Sequence, residues 1–248
     1  MGKALKFGFR ATYDSLGYVV GASFASFAAS TVVFAAMGLI AANTKAGFAA
    51  LPLAIPGLLV VWLCAVGIFY YANMVIAHEH PTPIDTIKGI RTLIWPAMAL
   101  FVVDLLISAV LIGDVVFFGL AFKARGGALL AVLTMVWVYL ALMWMMMSLY
   151  HLPLLVAQSK MQSRPGGCVI LRKSFLLAAD NPGFTVGLFA VIIAIAVLCA
   201  LSAVGMALLF TSTVAFLLTS SLRELFVKYG IVEQEPDVIE DKPWKLLN

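Results

Sequence analysis

The chain has 248 residues, of which 63% are hydrophobic and 11% charged, and its formal net charge is +4 at pH 7. Soluble domains carry about 25% charged residues, so this composition excludes a soluble globular protein and indicates a polytopic membrane protein. The basic residues flank apolar runs, as membrane orientation requires, so we expect no nucleic-acid partner. The three cysteines stand far apart and predict neither a disulfide framework nor a zinc site.

Six apolar runs are long enough to cross a bilayer, because about 20 helical residues span the hydrocarbon core. The last two share one uncharged stretch, which we divide at the small residues of 202–205. The sequence therefore predicts an all-α bundle of six transmembrane helices. The predicted spans are 16–42, 53–77, 94–122, 128–157, 184–204 and 206–222.

A basic segment precedes the first, third and fifth spans and ends at a break, respectively Asp14-Ser15, Trp95-Pro96 and Asn181-Pro182. Basic amphipathic segments of this kind are typical of helices that lie in the membrane interface. The second segment begins at Thr82-Pro83-Ile84-Asp85, which resembles a helix capping box. We therefore predict three tandem helical hairpins, each with a cytoplasmic interfacial entry helix. The predicted units cover about 7–77, 84–157 and 168–226.

The distribution of basic residues predicts that both termini are cytoplasmic. With the N-terminus inside, only Lys45, Lys123 and Arg125 of the 16 lysine and arginine residues fall in outer loops. This asymmetry follows the positive-inside rule and agrees with an even number of spans. We expect one transmembrane domain at 1–230, followed by an exposed acidic cytoplasmic tail at 231–248.

Asp104 is the candidate for an intramembrane polar site, because it stands near the middle of the third predicted span among apolar residues. Aspartate at such a position costs roughly 2.5–3.5 kcal/mol, so it usually faces a partner, the protein interior or water. One interpretation is a proton-binding or solute-binding group, with Asp114 marking a path outward. The other is a protonated carboxyl group that bonds Asn73, Thr134 or a backbone carbonyl.

Small residues open the first and fifth predicted spans, as Gly17-x-x-x-Gly21 followed by Ala25, and as Gly183-x-x-x-Gly187. Such faces let two helix backbones approach closely. They are consistent with packing inside the chain, or with an interface to a second copy or to another membrane protein.

His78, Glu79, His80 and His151 end the second and fourth predicted spans, so we expect all three histidines at one membrane face. Their spacing lacks the His-Glu-x-x-His pattern of zinc hydrolases, and the chain has no nucleophile elbow or phosphate-binding loop. We therefore predict no metal, no cofactor and no enzymatic activity.

The segments DTIKGIRTLIWP at 85–96 and LRKSFLLAADNPG at 171–183 resemble the YesL-like family of bacterial integral membrane proteins. Members of that family are often associated with carbohydrate-uptake genes. The resemblance implies a multi-pass protein of the bacterial cytoplasmic membrane with an accessory role in sugar transport. We expect a membrane subunit associated with solute transport, in contact with lipids and with a membrane-protein partner or second copy. The alternative is a structural or assembly subunit without transport activity of its own.

Overall fold

The computed structural model describes residues 2–43, 51–161, 166–202 and 204–232. Lys45 and most of the predicted acidic tail, residues 233–248, lie outside this part of the chain. Within it every regular element is a helix, as predicted. In chain order the helices are α1 (Gly2–Asp14), α2 (Leu16–Asn43), α3 (Leu51–Ile76), α4 (Pro83–Arg125), α5 (Ala128–Ser148), α6 (His151–Met161), α7 (Gly167–Asp180), α8 (Pro182–Leu201), α9 (Val204–Leu208) and α10 (Phe210–Lys228).

Five helical segments of the described chain are long and apolar enough to cross a membrane, which is the pattern of a multi-pass membrane protein. They are Leu16–Ile40, Ala54–Ile76, Pro83–Arg125, Ala128–Lys160 and Pro182–Leu201. The sixth predicted span falls on α9 and α10 instead of forming one apolar helix.

Helix α10 is less apolar and lies inside the bundle, where several of its hydroxyl groups form hydrogen bonds. Ser212 accepts a hydrogen bond from the Ser23 hydroxyl at 2.9 Å, and Thr219 donates to the carbonyl of Ala215 at 2.7 Å. Hydroxyl groups bonded inside a helix bundle avoid the cost of facing lipid unpaired.

Helix α1 packs along α10, so the first and third predicted units contact each other directly. A Cβ atom added to Gly8 would lie 2.6 Å from the Ser220 hydroxyl, which shows how closely the two backbones approach. The Ser220 hydroxyl donates to the carbonyl of Ala4 at 3.1 Å, and the Ala4 amide donates to Glu224 at 2.9 Å. The entry helix is therefore held by protein contacts.

Two of the three predicted breaks between entry helix and span are confirmed. Helix α1 ends at Asp14 and α2 begins at Leu16, with Ser15 between them. Helix α7 ends at Asp180 and α8 begins at Pro182, with Asn181 between them at φ −130° and ψ 58°. The capping interaction before α4 is also present, because the Asp85 carboxylate accepts the amide of Thr82 at 2.7 Å.

The predicted break at Trp95-Pro96 is wrong, because α4 continues through this proline from Pro83 to Arg125. A buried stripe crosses the proline and holds both sides of it in the bundle: the Tyr70 ring contacts Gly89, and the Trp62 indole donates to the carbonyl of Ala97 at 3.2 Å. Proline removes one hydrogen bond from a helix interior, and packing on both sides opposes the kink. The predicted entry segment and third span are therefore one helix of 43 residues.

The fourth predicted span corresponds to the candidate span Ala128–Lys160, which a turn formed by Leu149 and Tyr150 divides into α5 and α6. Pro153 lies in the first turn of α6, where a missing amide proton costs little. Helix α6 is buried from His151 to Gln158, with helices on several sides of it.

Three basic side chains bond groups that are distant in the sequence, close to the ends of α3, α6 and α10. Lys160 bonds Glu79 at 2.7 Å, Arg223 bonds the carbonyl oxygen of Ile76, and Lys228 bonds the side-chain oxygen of Asn181. We call the region defined by these six residues the basic end of the bundle.

Candidate functional site

Asp104 forms an intramolecular pair with His151, which joins the centre of α4 to the first residue of α6. The Nδ1 atom of His151 lies 3.2 Å from Oδ1 of Asp104. The imidazole is fully buried, whereas 18% of the Asp104 side chain is exposed. The carboxyl group predicted to need a partner therefore has one inside the protein.

Trp144 lies beside this pair and packs against the imidazole. Its ring meets that of His151 edge-on, with centroids 5.4 Å apart and an interplanar angle of 66°. Its indole Nε1 donates to the Ser108 hydroxyl at 3.1 Å. Since Ser108 stands four residues after Asp104 on α4, one helix face carries both groups. Trp144 thus restricts the orientation of the imidazole toward the carboxyl group.

Tyr150 fixes the start of α6 to α8. Its ring is fully buried, and its hydroxyl lies 2.9 Å from the Thr185 hydroxyl. Thr185 in turn donates to the carbonyl of Asn181 at 3.0 Å. The residue before His151 is therefore anchored to the α7–α8 junction, which positions the imidazole.

The geometry defines the hydrogen-bonding roles of the two imidazole nitrogens. Nδ1 faces the carboxyl oxygen, so a neutral ring with its proton on Nδ1 donates to Asp104 and keeps Nε2 as an acceptor. Nε2 is buried and has no hydrogen-bond partner among the described residues. The pair can therefore exchange a proton between its two members and accept one at Nε2.

A metal does not follow from this arrangement. No group of three or more histidine, cysteine or acidic side chains in the described ranges is placed to hold an ion. One carboxylate and one imidazole leave half of a tetrahedral zinc site without protein ligands.

The pair is largely buried, since 0% of the His151 side chain and 18% of the Asp104 side chain are exposed. Apolar cavities lie elsewhere in the described part of the chain, one lined by Val33 and Gly57 between α2 and α3, another by Thr134 and Tyr139 beside α5. Neither cavity is lined by Asp104 or His151.

The other predicted polar residues do not join the site. Asp114 is half-buried and makes no hydrogen bond or ion pair with another described residue. Thr134 donates to the carbonyl of Leu130 in its own helix at 2.8 Å. Asn73 is half-buried on α3, and the structure pairs Asp104 with His151 in place of Asn73 or Thr134.

Four of the five predicted small-residue positions are exposed in the described chain. A Cβ atom at Gly17, Gly21 or Gly183 would meet no neighbour within 4 Å, and Ala25 is exposed. Gly187 is half-buried. The face formed by Gly17, Gly21 and Ala25, which we call the glycine face, is open to lipid or to another protein.

The sequence prediction placed His151 with His78 and His80 at one membrane face and so missed it as the partner of Asp104. Pro153 was the feature of the sequence that could have predicted a new helix beginning near His151, since a proline in an apolar run is best tolerated in the first turn of a helix. A helix start near His151 would have divided the fourth predicted span. Ser108 and Trp144 carried no comparable signal.

No protein-family model matches this chain, and no curated protein or solved structure is significantly similar to it. The resemblance to the YesL-like family therefore stays a prediction.

Proposed function

We propose that this protein is a multi-pass membrane subunit associated with solute transport, in which Asp104 and His151 form a proton-binding site. The observation that carries the proposal is the contact of 3.2 Å between a fully buried imidazole and a carboxyl group inside an apolar bundle. Ionisable residues in such surroundings are costly and mark proton or substrate pathways in many membrane proteins.

The chemistry of the pair fits proton coupling. A carboxyl group and an imidazole in contact can hold a proton in more than one position, and each position changes the charge of the site. A change of charge in an enclosed site shifts the balance between two packings of the surrounding helices. In this proposal, proton binding is linked in this way to movement of a solute. The resemblance alone favours carbohydrate as that solute.

We further propose six crossings, with α9 and α10 as the last, and both termini in the cytoplasm of a bacterial cell. The packing of α1 along α10, near the basic end, supports this arrangement. In a chain that keeps Cys168 as its only cysteine, or carries Ala124→Cys alone, an impermeant thiol reagent should label position 124 but not Cys168 in intact cells. The opposite labelling pattern would overturn the orientation.

The test of the proton site is proton influx into liposomes under an imposed membrane potential, followed with an enclosed pH-sensitive dye. The protein is purified gently from its native membranes with the proteins that accompany it. We expect influx with the parent and its loss in Asp104→Asn, because the amide cannot take up a proton. Asp114→Asn is the matched control on the same helix and should keep the influx. Equal influx in parent and Asp104→Asn, at equal abundance, would exclude Asp104 as the proton-binding group.

A second candidate function is a structural or assembly subunit, favoured by the exposure of the glycine face. A Cβ atom at Gly21 would meet no described neighbour within 4 Å, so leucine there would obstruct a partner helix. Gly38→Leu is the control, because Gly38 is equally open but lies on another side of α2. A partner lost from Gly21→Leu alone, together with unchanged influx in Asp104→Asn, would favour the structural role.

A further inference from the structure

Within the described residues, the buried side-chain nitrogen and oxygen atoms without a hydrogen-bond partner all lie on α6 or α10. They are Nε2 of His151, both amide atoms of Gln158 and Oγ of Ser221. Helices α6 and α10 pack against each other. Buried polar atoms in folded proteins are nearly always bonded, and internal water is the usual partner when protein groups are not.

The two residues on α6 share one side of the helix. His151 and Gln158 are seven residues apart, which is close to two full turns and about 10 Å along the axis. They are exposed by 0% and 2%, respectively. The unpartnered atoms of α6 therefore belong to two residues on one side of that helix, and the first of these residues is the partner of Asp104.

The same helix leads from the pair to the surface. Lys160, two residues after Gln158, bonds Glu79, and the side chains of this ion pair are 31% and 46% exposed. Helix α6 thus has the buried pair at its start and water-accessible charges of the basic end near its finish.

We propose that a file of bound water molecules runs along α6, from Nε2 of His151 past the amide of Gln158 to the basic end, and carries protons to Asp104. This inference rests on the proposed proton site and adds its route of access. Two or three waters at hydrogen-bond spacing span a gap of about 10 Å. The Gln158 amide, which both donates and accepts, holds the file in the middle.

The proton transfer balances without a further reactant. A proton from the water file binds the Nε2 lone pair while the Nδ1 proton passes to the Asp104 carboxylate. The products are a neutral carboxylic acid and a neutral imidazole with its proton on Nε2. The reverse transfer returns the proton to the file.

No other charged side chain bonds the imidazole in the described part of the chain. Around α6, Glu79 bonds Lys160 and Arg223 of α10 bonds the carbonyl of Ile76, both at the basic end. The aromatic neighbour from α5 is Trp144, and α4 contributes Asp104. Asp104 is therefore the charged side chain that directly affects the imidazole in this proposal.

The experiment uses the full chain in uniformly oriented liposomes and follows the carboxylic C=O stretching band of Asp104 after a pH jump on one side. Subtraction of the Asp104→Asn spectrum assigns the band. We expect the band to respond quickly when the jump is made at the basic end. Gln158→Met, which keeps the length of the side chain, should slow the response about tenfold, the effect of losing one buried hydrogen-bonding group.

Two variants serve as comparisons. Gln158→Glu keeps hydrogen-bonding atoms at this position, so its carboxylic band should respond at least as fast as that of the parent. If Gln158→Met does not fold, the response of Gln158→Glu still tests the proposal. Thr134→Val removes a hydroxyl whose hydrogen bond stays within α5 and should leave the rate unchanged.

A parental rate in Gln158→Met, a slowed response in Gln158→Glu, or a response driven only from the opposite side would overturn the water file. Each of these results leaves the proton site itself intact. A band that never responds to pH in the parent would overturn the proton site as well.

Discussion

Asp104 and Asp114 are chemically identical groups ten residues apart on α4, yet the structure gives them different surroundings. Asp104 lies 3.2 Å from a fully buried imidazole, with 18% of its side chain exposed. Asp114 is half-buried and contacts no polar partner in the described chain. The difference teaches that a carboxyl group in an apolar run becomes a candidate site through the partner that another helix supplies.

The two carboxyl groups also lie in different parts of the bundle. Around Asp104, α4 is covered by α5 and α6, and its Ser108 is bonded to Trp144. Exposed apolar side chains flank both carboxyl groups, since Leu106 is 61% and Phe117 65% exposed, so the bonded partners distinguish the two positions. A substitution at the first position should therefore affect both stability and function, whereas one at the second should affect neither strongly.

The largest expected effect comes from removing the partner of Asp104. His151→Leu leaves the carboxyl group in apolar surroundings, and breaking a buried pair in this way costs about 3 kcal/mol. Equilibrium unfolding of the purified protein in one fixed detergent, with sodium dodecyl sulfate as the denaturant, measures the change.

The double variant His151→Leu with Asp104→Leu is the control, because it removes both polar groups. We expect the double variant to regain about 1–2 kcal/mol relative to His151→Leu, which is the size of coupling found between residues in contact. Strictly additive effects of the two substitutions would contradict an energetic pairing.

An intermediate effect should follow from Trp144→Phe, which keeps an aromatic ring against His151 but loses the donor to Ser108. A single hydrogen bond of this kind contributes about 1 kcal/mol. Trp137→Phe is the matched control seven residues earlier, since Trp137 stacks on Phe118 with parallel rings 6.2 Å apart and phenylalanine keeps that contact. The unfolding measurement and the proton influx are made on both variants, and we expect a loss in Trp144→Phe but not in Trp137→Phe. Equal losses in both variants would mean that the Ser108 bond has no special role.

The fold class and most helix positions could be predicted from the sequence, because composition and the length of apolar runs depend on local sequence alone. The turn at Asn181-Pro182 was predictable for the same reason, since an asparagine followed by proline ends a helix locally. Trp95-Pro96 carries a similar signal, but the stripe from Gly89 to Leu100 packs against α3 and keeps α4 continuous. Contacts between helices thus keep α4 continuous through Pro96, and such contacts cannot be predicted from a local sequence pattern.

The site was only half predictable for a related reason. Asp104 could be found by its depth in an apolar run, which is a property of one helix. His151 depends on where α5 ends and on the packing of α6 among other helices. The sequence did not predict that the hydroxyl groups of α10 lie inside the bundle. Serine and threonine also occur in transmembrane helices that face lipid, and only the hydrogen-bond partners distinguish the two cases. Pairing across helices is thus the part of the site that a single sequence conceals.

The smallest effect is expected at Asp114. Asp114→Leu removes a carboxyl group that bonds no described residue and lies beside exposed apolar side chains. Substitutions away from buried networks usually change stability by less than about 0.5 kcal/mol, and we expect this variant to stay within that range. Proton influx should also equal that of the parent, because the site at Asp104 and His151 is untouched. Unfolding and influx measured on one preparation test both expectations. A loss of influx with unchanged stability would place Asp114 on the proton path, and the contrast between the two carboxyl groups would then be wrong.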